Sequence, residues 1–300
     1  MDLSPLLENL NDAQREAVSS GSEHCLVLAG AGCGKTRVLV HRIAWLIRAE
    51  HLSPYAILAV TFTNKAAREM RGRIEDLLQA PIGSMWVGTF HGIAHRLLRS
   101  HWEEARLPQA FQILDADDQY RLIRRVLRDQ QLDEAHWPPR QIQSFINSHK
   151  DEGRRPHHIE SYGDPVRKTS IALYAAYEQA CQRGGLVDFA ELLLRVHELW
   201  LHNEALLALY RQRFRAILVD EFQDTNAIQY AWIRLLAGEQ TPLFVVGDDD
   251  QSIYGWRGAR VENIRAFTEQ FAHVRLIRLE QNYRSTATIL NAANALIAHN

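Results

Sequence analysis

Short apolar runs alternate with amphipathic stretches near both ends of the chain, and this alternation predicts the fold. Each run is rich in aliphatic residues and is typical of a strand buried on both faces. The runs lie at 25–28, 56–63, 85–90, 216–219, 243–246 and 274–277. Because helical patterns separate them, the sequence predicts an α/β fold with a parallel sheet covered by helices on both faces.

The middle of the chain has a different pattern. Residues 91–213 are nearly free of strand patterns and show helical periodicity, most clearly over 120–127 and 190–201. Proline and glycine residues punctuate this region. We therefore predict a helical accessory insertion over 91–213 that interrupts a sheet domain made of 1–90 and 214–280.

The composition is that of an ordinary globular chain, with 46% hydrophobic residues, 23% charged residues and a formal net charge of −2. Bulk charge gives no sign of nucleic-acid binding, so any basic surface must be local. No apolar run approaches the ~20 residues that span a bilayer, and residues 1–5 lack a basic-then-apolar signal. Three cysteines without a Cys-x-x-Cys pair fit a reducing compartment. We therefore expect a cytoplasmic protein with no membrane partner.

The first predicted strand runs into a glycine-rich stretch and then a helical pattern, which is the context of a phosphate-binding loop. The stretch comprises Ala29, Gly30, Ala31, Gly32, Cys33, Gly34, Lys35 and Thr36. Glycines let backbone N–H groups point at a phosphate, and the helix N-terminus adds positive potential. We expect Lys35 to reach the β- and γ-phosphates and the Thr36 hydroxyl to hold Mg²⁺. The general pattern has Gly where this chain has Ala29, and a glycine-rich turn without a ligand is the alternative.

Two later strands also end in side chains suited to this chemistry. Asp220 and Glu221 follow the strand at 216–219, at the edge where parallel α/β sheets bind ligands. Asp220 can hold Mg²⁺, and Glu221 can orient and deprotonate the attacking water, although an acidic helix cap is the alternative. Gln251 follows the strand at 243–246, where its amide can sense the γ-phosphate.

Residues just after Gln251 are suited to nucleic acid. Tyr254, Trp256 and Arg257 can stack on bases without reading sequence, for about 1–3 kcal/mol per base. An aromatic turn packed into a core is the alternative, but polar residues and glycines surround these side chains. One short segment would then contact nucleotide at one end and nucleic acid at the other, as coupling of two sites requires.

Two further residues are candidates for the nucleotide. Gln14 lies in a helix predicted over 10–18 with Asn11 or Asp12 as its cap, and its amide can read an adenine edge. Arg284 follows the last predicted strand and can stabilise charge on the γ-phosphate, although a surface turn is the alternative.

His91 and His95 lie four residues apart on a predicted helix, as metal-binding histidines do in zinc proteases. Gly92 stands where such a protease would have Glu. We therefore expect a solvated helical face here rather than a metal site.

Together these motifs resemble the N-terminal part of superfamily 1 DNA helicases of the UvrD/Rep/PcrA type, over the whole chain. The phosphate loop is common to many NTPases, so the resemblance depends on the more specific stretches 219–224 and 247–258. It implies a RecA-like P-loop NTPase domain with a helical accessory insertion, and the start of a second RecA-like domain at 281–300.

The resemblance also implies a role for individual residues. The ATP site comprises Gln14, the phosphate loop from Ala29 to Thr36, Arg37, Tyr283, which stacks on adenine, and Arg284. The catalytic residues are Lys35, Asp220, Glu221, Gln251 and Arg284, with Mg²⁺ on Thr36 and Asp220. The DNA-contacting residues are Thr61, Phe62, Thr63, His91, Tyr254, Trp256 and Arg257.

Enzymes of this family hydrolyse ATP to move 3′ to 5′ along single-stranded DNA and to unwind duplex at single-strand/double-strand junctions. The resemblance implies mismatch and nucleotide excision repair proteins as partners, together with self-association. Family members continue with most of a second RecA-like domain. We therefore expect the 300 residues alone to bind ATP and single-stranded DNA weakly, without unwinding.

Two other functions remain open from the residues alone. A small-molecule kinase would explain Lys35 and Asp220, but neither Tyr254 nor the helical insertion. A non-catalytic module would bind DNA or a repair protein without turnover. The family commonly has Ser where this chain has Cys33, so we also expect alkylation of this thiol to impair ATP binding.

Overall fold

The computed structural model describes residues 3–255 and 258–297. The chain divides into two compact units. The first contains the described residues of Met1–Phe90, Ala205–Thr225 and Leu236–Asn300, and the second contains His91–Glu204 and Asn226–Leu235. The predicted domain boundaries stay predictions.

The strands are β1 (Cys25–Ala29), β2 (Ile57–Thr61), β3 (Trp86–Thr89), β4 (Gln112–Leu114), β5 (Leu186–Asp188), β6 (Ala216–Val219), β7 (Leu243–Gly247) and β8 (Arg275–Leu279). The helices are α1 (Ser4–Leu7), α2 (Asp12–Val18), α3 (Lys35–Arg48), α4 (Asn64–Leu78), α5 (Phe90–Ser100), α6 (Ala116–Asp129), α7 (Pro139–Asp151), α8 (Pro165–Gly184), α9 (Phe189–His202), α10 (Glu204–Arg213), α11 (Ala227–Ala237), α12 (Glu262–Gln270) and α13 (Ala287–Ile297).

The first unit is built on a six-stranded sheet with the order β3-β2-β6-β7-β1-β8. Every neighbouring pair is parallel, which confirms the predicted α/β fold. Strands β2, β6 and β7 are buried along their whole length because helices cover both faces. All six strands end at one edge of the sheet, so the residues that follow them form a row along that edge.

The predicted strand at 56–63 is too long at its C-terminal end. Strand β2 ends at Thr61, and the Thr63 side chain accepts a hydrogen bond from the Ala66 N–H as the N-cap of α4. A capping threonine needs extended backbone next to a helical turn, so the apolar pattern continues past the point where the strand stops.

The second unit is mostly helical, as predicted, but it also contains the short parallel pair β4 and β5. Its core includes a buried ionic cluster, in which the Lys150 ammonium lies 2.7 Å from an Asp188 oxygen and 3.0 Å from a Glu191 oxygen. The His95 imidazole Nε2 lies 3.0 Å from the donating Arg99 Nε. Within 3–255 and 258–297, no group of three or more His, Cys, Asp or Glu residues is suited to a metal ion, and no helix could cross a membrane.

Asp151, at the end of α7, gives the second unit a pH-dependent stability. Burial, and then the Asp188 charge, raise the pKa of its carboxyl from 3.8 to about 7. Between about pH 4 and pH 7 this carboxyl is therefore protonated in the folded chain but ionised in the unfolded chain. The free energy of unfolding falls as the pH rises through this range.

We expect Asp151→Asn to remove this loss, because the amide needs no ionisation. The variant should gain free energy of unfolding relative to wild type between pH 4 and 8, reaching on the order of 4 kcal/mol at pH 8. Urea titrations across this range measure the gain, with Asp129→Asn, an exposed position on α6, as the control. An equal difference at pH 4 and pH 8 would contradict the expectation.

Candidate functional site

The phosphate-loop sequence forms a tight turn between β1 and α3. Gly32 and Gly34 have φ values of 80° and 89°, a backbone region that glycine adopts without strain. A Cβ at Gly34 would lie 2.8 Å from the Gln14 Nε2, and one at Gly32 would lie 2.6 Å from the Arg284 Cβ. Glycine is therefore required at both positions by conformation and by space.

Lys35 begins α3 and is only 8% exposed. Its Nζ lies 3.2 Å from a Glu221 oxygen and 3.8 Å from an Asp248 oxygen, yet it makes no hydrogen bond with any of the described residues. An ammonium at this position is unfavourable for two reasons. Burial removes its hydration, and the dipole of α3 adds positive potential at the helix N-terminus. An anion that accepts hydrogen bonds from Lys35 would relieve both costs, and a phosphate group fits that requirement.

Asp220 and Glu221 follow β6 at the same edge of the sheet. Asp220 is 4% exposed, and burial, with Glu221 beside it, raises its pKa to about 7. Glu221 has a φ of 48°, a left-handed conformation that is costly for a residue with a side chain and is common at functional sites. Burial and Glu221 also raise the pKa of Asp224 to about 6.

These three carboxylates do not form a ready-made metal site, but a divalent cation beside Asp220 would favour its ionised form. Asp220 and Thr36, partly exposed in the first turn of α3, are the predicted ligands. Mg²⁺ commonly uses one or two carboxylates and completes its shell with phosphate oxygens and water. The site fits Mg²⁺ bound together with a nucleotide rather than alone.

Asp248 is a site residue that the sequence predictions missed. It follows β7, as Asp220 follows β6, and it is 5% exposed beside Lys35. Its carboxylate accepts a hydrogen bond from the Gln251 side-chain amide. The predicted γ-phosphate sensor is therefore held next to Lys35 through Asp248.

The predicted adenine contacts, Gln14 and Tyr283, are both hydrogen-bonded to the phosphate loop. Gln14 is fully buried, where its Nε2 donates to the Cys33 carbonyl at 3.1 Å and its Oε1 accepts from the Asn11 N–H at 3.2 Å. The Asn11 Nδ2 donates to the Tyr283 hydroxyl at 2.9 Å, and the Tyr283 N–H donates to the Gly32 carbonyl at 2.9 Å. Gln14 and Tyr283 are thus brought together around the loop by Asn11.

Arg37 and Arg284 are exposed at this end of the sheet. The Arg284 N–H donates to the Asn282 side-chain oxygen at 2.8 Å, and the Asn282 amide donates to the Ala31 carbonyl. Asn282 therefore fastens the segment that carries Tyr283 and Arg284 to the phosphate loop.

The predicted DNA-contacting residues at the C-terminal end of β2 lie at the same edge of the sheet. The Thr61 hydroxyl donates to the Thr63 carbonyl at 3.1 Å, and Thr63 caps α4. The Phe62 ring is half-buried, with its centroid 5.8 Å from that of Phe90 in an edge-on arrangement. Part of the Phe62 ring remains available for a ligand.

The remaining DNA predictions are distributed differently. His91 belongs to the second unit, where its ring centroid lies 5.8 Å from that of Phe189, an exposed residue. Tyr254 is half-buried, and its carbonyl accepts a hydrogen bond from the Ala259 N–H. Trp256 and Arg257 lie outside the described residues.

Cys33 lies inside the phosphate loop and is 5% exposed. Burial, and then the Asp248 charge, raise the pKa of its thiol. A Cβ at Gly30 would be 3.8 Å from the Cys33 sulfur, so the folded loop has little space for an added group.

We expect iodoacetamide to alkylate Cys33 in the folded chain at least about 10-fold more slowly than in urea, because little thiolate is present and the sulfur is covered. Once alkylated, the loop should bind ATP more weakly. Peptide mass spectrometry measures the rate at this cysteine, and nucleotide titration measures the affinity, with Cys33→Ser as the unreactive control. Unchanged ATP affinity after stoichiometric alkylation would show that the thiol lies outside the functional part of the loop.

Comparison with known proteins gives one consistent result. Residues 10–272 match the family described as UvrD/REP helicase N-terminal domain. The chain is 65% identical over its full 300 residues to DNA helicase II of Escherichia coli, covering 42% of that protein. It is 58% identical over 304 aligned positions to DNA helicase II of Haemophilus influenzae, covering all of this chain and 42% of the relative. It is 42% identical over 299 residues to ATP-dependent DNA helicase PcrA of Staphylococcus epidermidis, covering 99% of this chain and 41% of the relative.

Proposed function

The chain belongs to the UvrD/REP helicase family, whose N-terminal domain it contains, and on that premise we propose that it forms one wall of the ATP site of a DNA helicase. The chain spans about two fifths of the length of the relatives described above. The observation that carries the proposal is the buried Lys35 ammonium, which faces two strand-end carboxylates and has no hydrogen-bond partner among residues 3–255 and 258–297. The phosphate oxygens of a nucleoside triphosphate would accept hydrogen bonds from this ammonium.

In this proposal each residue of the site has a separate role in phosphoryl transfer. Lys35 binds the β- and γ-phosphates, and the backbone N–H groups of the loop surround them. Glu221 orients a water molecule and accepts its proton. Gln251 senses the γ-phosphate, and Arg284 stabilises the charge that develops on it. Mg²⁺ held by Thr36 and Asp220 supplies charge neutralisation between the phosphates when it is bound.

The order of the strands supports a DNA site beside the nucleotide site. The proposed nucleotide residues lie after β6, β7, β1 and β8, which are neighbours in the sheet. Thr61, Phe62 and Thr63 instead lie at the C-terminal end of β2, on the other side of β6. Tyr254 lies three residues after Gln251 on one segment. We propose that single-stranded DNA binds along the β2 side of this edge and on Tyr254, Trp256, Arg257 and His91.

The wider function follows from the family. We propose ATP-driven 3′ to 5′ movement on single-stranded DNA with unwinding at junctions, in mismatch and nucleotide excision repair in the cytoplasm. The repair proteins of those processes and a second copy of the chain are the proposed partners. The domain layout we propose is a RecA-like domain over 1–90 and 214–280, an accessory insertion over 91–213, and the start of a second RecA-like domain at 281–300. The 300 residues alone bind ATP and DNA weakly and do not unwind.

A single-turnover ATPase assay with and without single-stranded DNA tests the proposal. We expect slow hydrolysis that oligo(dT) accelerates, because the DNA and nucleotide residues share one sheet edge. Hydrolysis stimulated by a small phosphate acceptor but not by DNA would indicate a kinase, and DNA binding without nucleotide binding would indicate a non-catalytic module. Robust strand separation by this chain would contradict the expected behaviour of the 300 residues.

A further inference from the structure

Asn282 is a polar residue beside the phosphate loop to which the proposed mechanism gives no role. It lies two residues before Arg284, in the segment that follows β8, and it is partly buried. Its Oδ1 accepts hydrogen bonds from the N–H groups of Arg284 at 2.8 Å and of Ser285 at 2.9 Å. Because the amide cannot turn over without losing both bonds, the direction of its Nδ2 is fixed as well.

The Asn282 Nδ2 is directed at the loop, where it donates a hydrogen bond to the Ala31 carbonyl. The contact is close, because a Cβ at Gly32 would lie 2.9 Å from the Asn282 Oδ1 and 3.0 Å from its Nδ2. The next residue adds a second bond, in which the Tyr283 N–H donates to the Gly32 carbonyl at 2.9 Å. The segment after β8 is therefore bonded to the carbonyls of two consecutive loop residues.

The neighbouring carbonyls of the loop are also hydrogen-bonded. The Gly30 carbonyl accepts from the Cys33 N–H at 3.2 Å, and the Cys33 carbonyl accepts from the Gln14 Nε2 at 3.1 Å. Each carbonyl from residue 30 to residue 33 thus has a donor within the protein.

The backbone N–H groups of the same loop are in the opposite situation. No described residue accepts a hydrogen bond from the N–H groups of Gly32, Gly34, Lys35 and Thr36. Unpaired N–H groups at the start of a helix are suited to bind a phosphate. The loop therefore has its acceptors bonded to the protein and these donors left for an anion.

The geometry of the peptide group links the two sides of the loop. In a planar trans peptide, the C=O and the N–H of the next residue point in opposite directions. The Ala31 carbonyl and the Gly32 N–H belong to one such group, so the bond from Asn282 directs this N–H to the opposite side. Without that bond the group would be free to rotate, because glycine adopts many backbone conformations. A carbonyl would then face the phosphates and repel them.

We propose that Asn282 is a positioning residue for the phosphate loop, which orients the Ala31–Gly32 peptide so that the Gly32 N–H donates to the phosphates of the nucleotide. This inference rests on the proposed function. Tyr283 and Arg284 contact the nucleotide in the proposed mechanism, whereas Asn282 acts on it only through the loop.

Inorganic tripolyphosphate tests the loop separately from the adenine contacts. The measurement is its inhibition constant, with Mg²⁺, for displacing a fluorescent ATP analogue from the chain. Asn282→Leu keeps a side chain of similar size but removes its three hydrogen bonds, and Asn282→Ala removes most of the side chain. Asn147→Leu is the matched control, because the Asn147 amide exchanges hydrogen bonds with Gln119 in the second unit. Urea titrations establish that each variant is folded in the assay.

We expect both Asn282 variants to bind tripolyphosphate and ATP about 10-fold or more weakly, the effect of losing one hydrogen bond to a charged group. Asn147→Leu should keep the wild-type affinities. The loss should persist when Asn282→Leu is combined with Arg284→Gln and compared with Arg284→Gln alone, because the loop is affected rather than the arginine. A merely structural role would lower the free energy of unfolding and leave the affinity of the folded chain unchanged.

Wild-type affinity for tripolyphosphate in a folded Asn282 variant would overturn the inference. A loss for ATP but not for tripolyphosphate would overturn it by placing the effect at the base, and a loss that disappears with Arg284→Gln would place it at the arginine. If Asn282→Leu does not fold, Asn282→Ala decides the outcome in both backgrounds. A wild-type chain that binds ATP but not tripolyphosphate would also overturn the inference, whereas one that binds neither would refute the proposed function.

Discussion

Replacing Lys35 with alanine is expected to lower the affinity of the chain for ATP by about 100-fold or more, since each hydrogen bond to a charged group contributes roughly 1.5–3 kcal/mol. Lys35 is buried at the N-terminus of α3, and its ammonium has no hydrogen-bond partner in the part of the chain that the structure describes. Its hydrogen-bonding capacity is thus free for the phosphates. The loss should appear in titrations with a fluorescent ATP analogue.

Lys65→Ala is the matched control for this experiment. Lys65 lies on α4, it is 83% exposed at the side chain, and it pairs only loosely with Glu69 at 3.9 Å. The control removes the same charge and number of atoms from the same unit, so it separates a specific contact from a change in net charge. ATP binding that survives in Lys35→Ala would mean that the loop is a glycine-rich turn without a phosphate role.

The sequence pattern predicts the strand ends well because a buried parallel strand is nearly continuous in apolar residues and stops where polar residues begin. Asp220 could be placed at the end of β6 in this way. The pattern fails at Phe62 and Phe90, which extend an apolar run although the strands end before them. An apolar residue that begins a helix and one that ends a strand look alike in sequence.

The contacts that organise the site are harder to predict because they join distant parts of the chain. The sequence predicts Asn11 or Asp12 as the cap of α2, and the structure shows that the cap is Asn11, with a capping box to Gln14. Its contact with Tyr283 is 272 residues away in sequence, so local patterns carry no signal for it. The contact between the Gln223 amide and the Asp248 N–H is hidden for the same reason, since 25 residues separate them in sequence.

The second large effect concerns Glu221. We expect Glu221→Gln to slow ATP hydrolysis by about 10²–10⁴-fold, the usual contribution of a positioned general base, because the amide has a similar shape but cannot accept the proton. ATP affinity should stay close to wild type, or rise, because the Lys35 ammonium loses a competing charge 3.2 Å away. Single-turnover assays with the chain in excess measure hydrolysis even when half-lives reach hours.

Glu69→Gln, on the exposed face of α4, is the control for the loss of one carboxylate from the same unit. The decisive feature is the separation of rate from affinity. Lys35 and Glu221 are in contact, yet the first variant should abolish binding and the second should abolish turnover while binding persists. Equal losses of affinity in both variants would mean that Glu221 only holds Lys35 in place. The water-activating role would then have to belong to another carboxylate at this edge, such as Asp248, which lies 3.8 Å from the Lys35 Nζ.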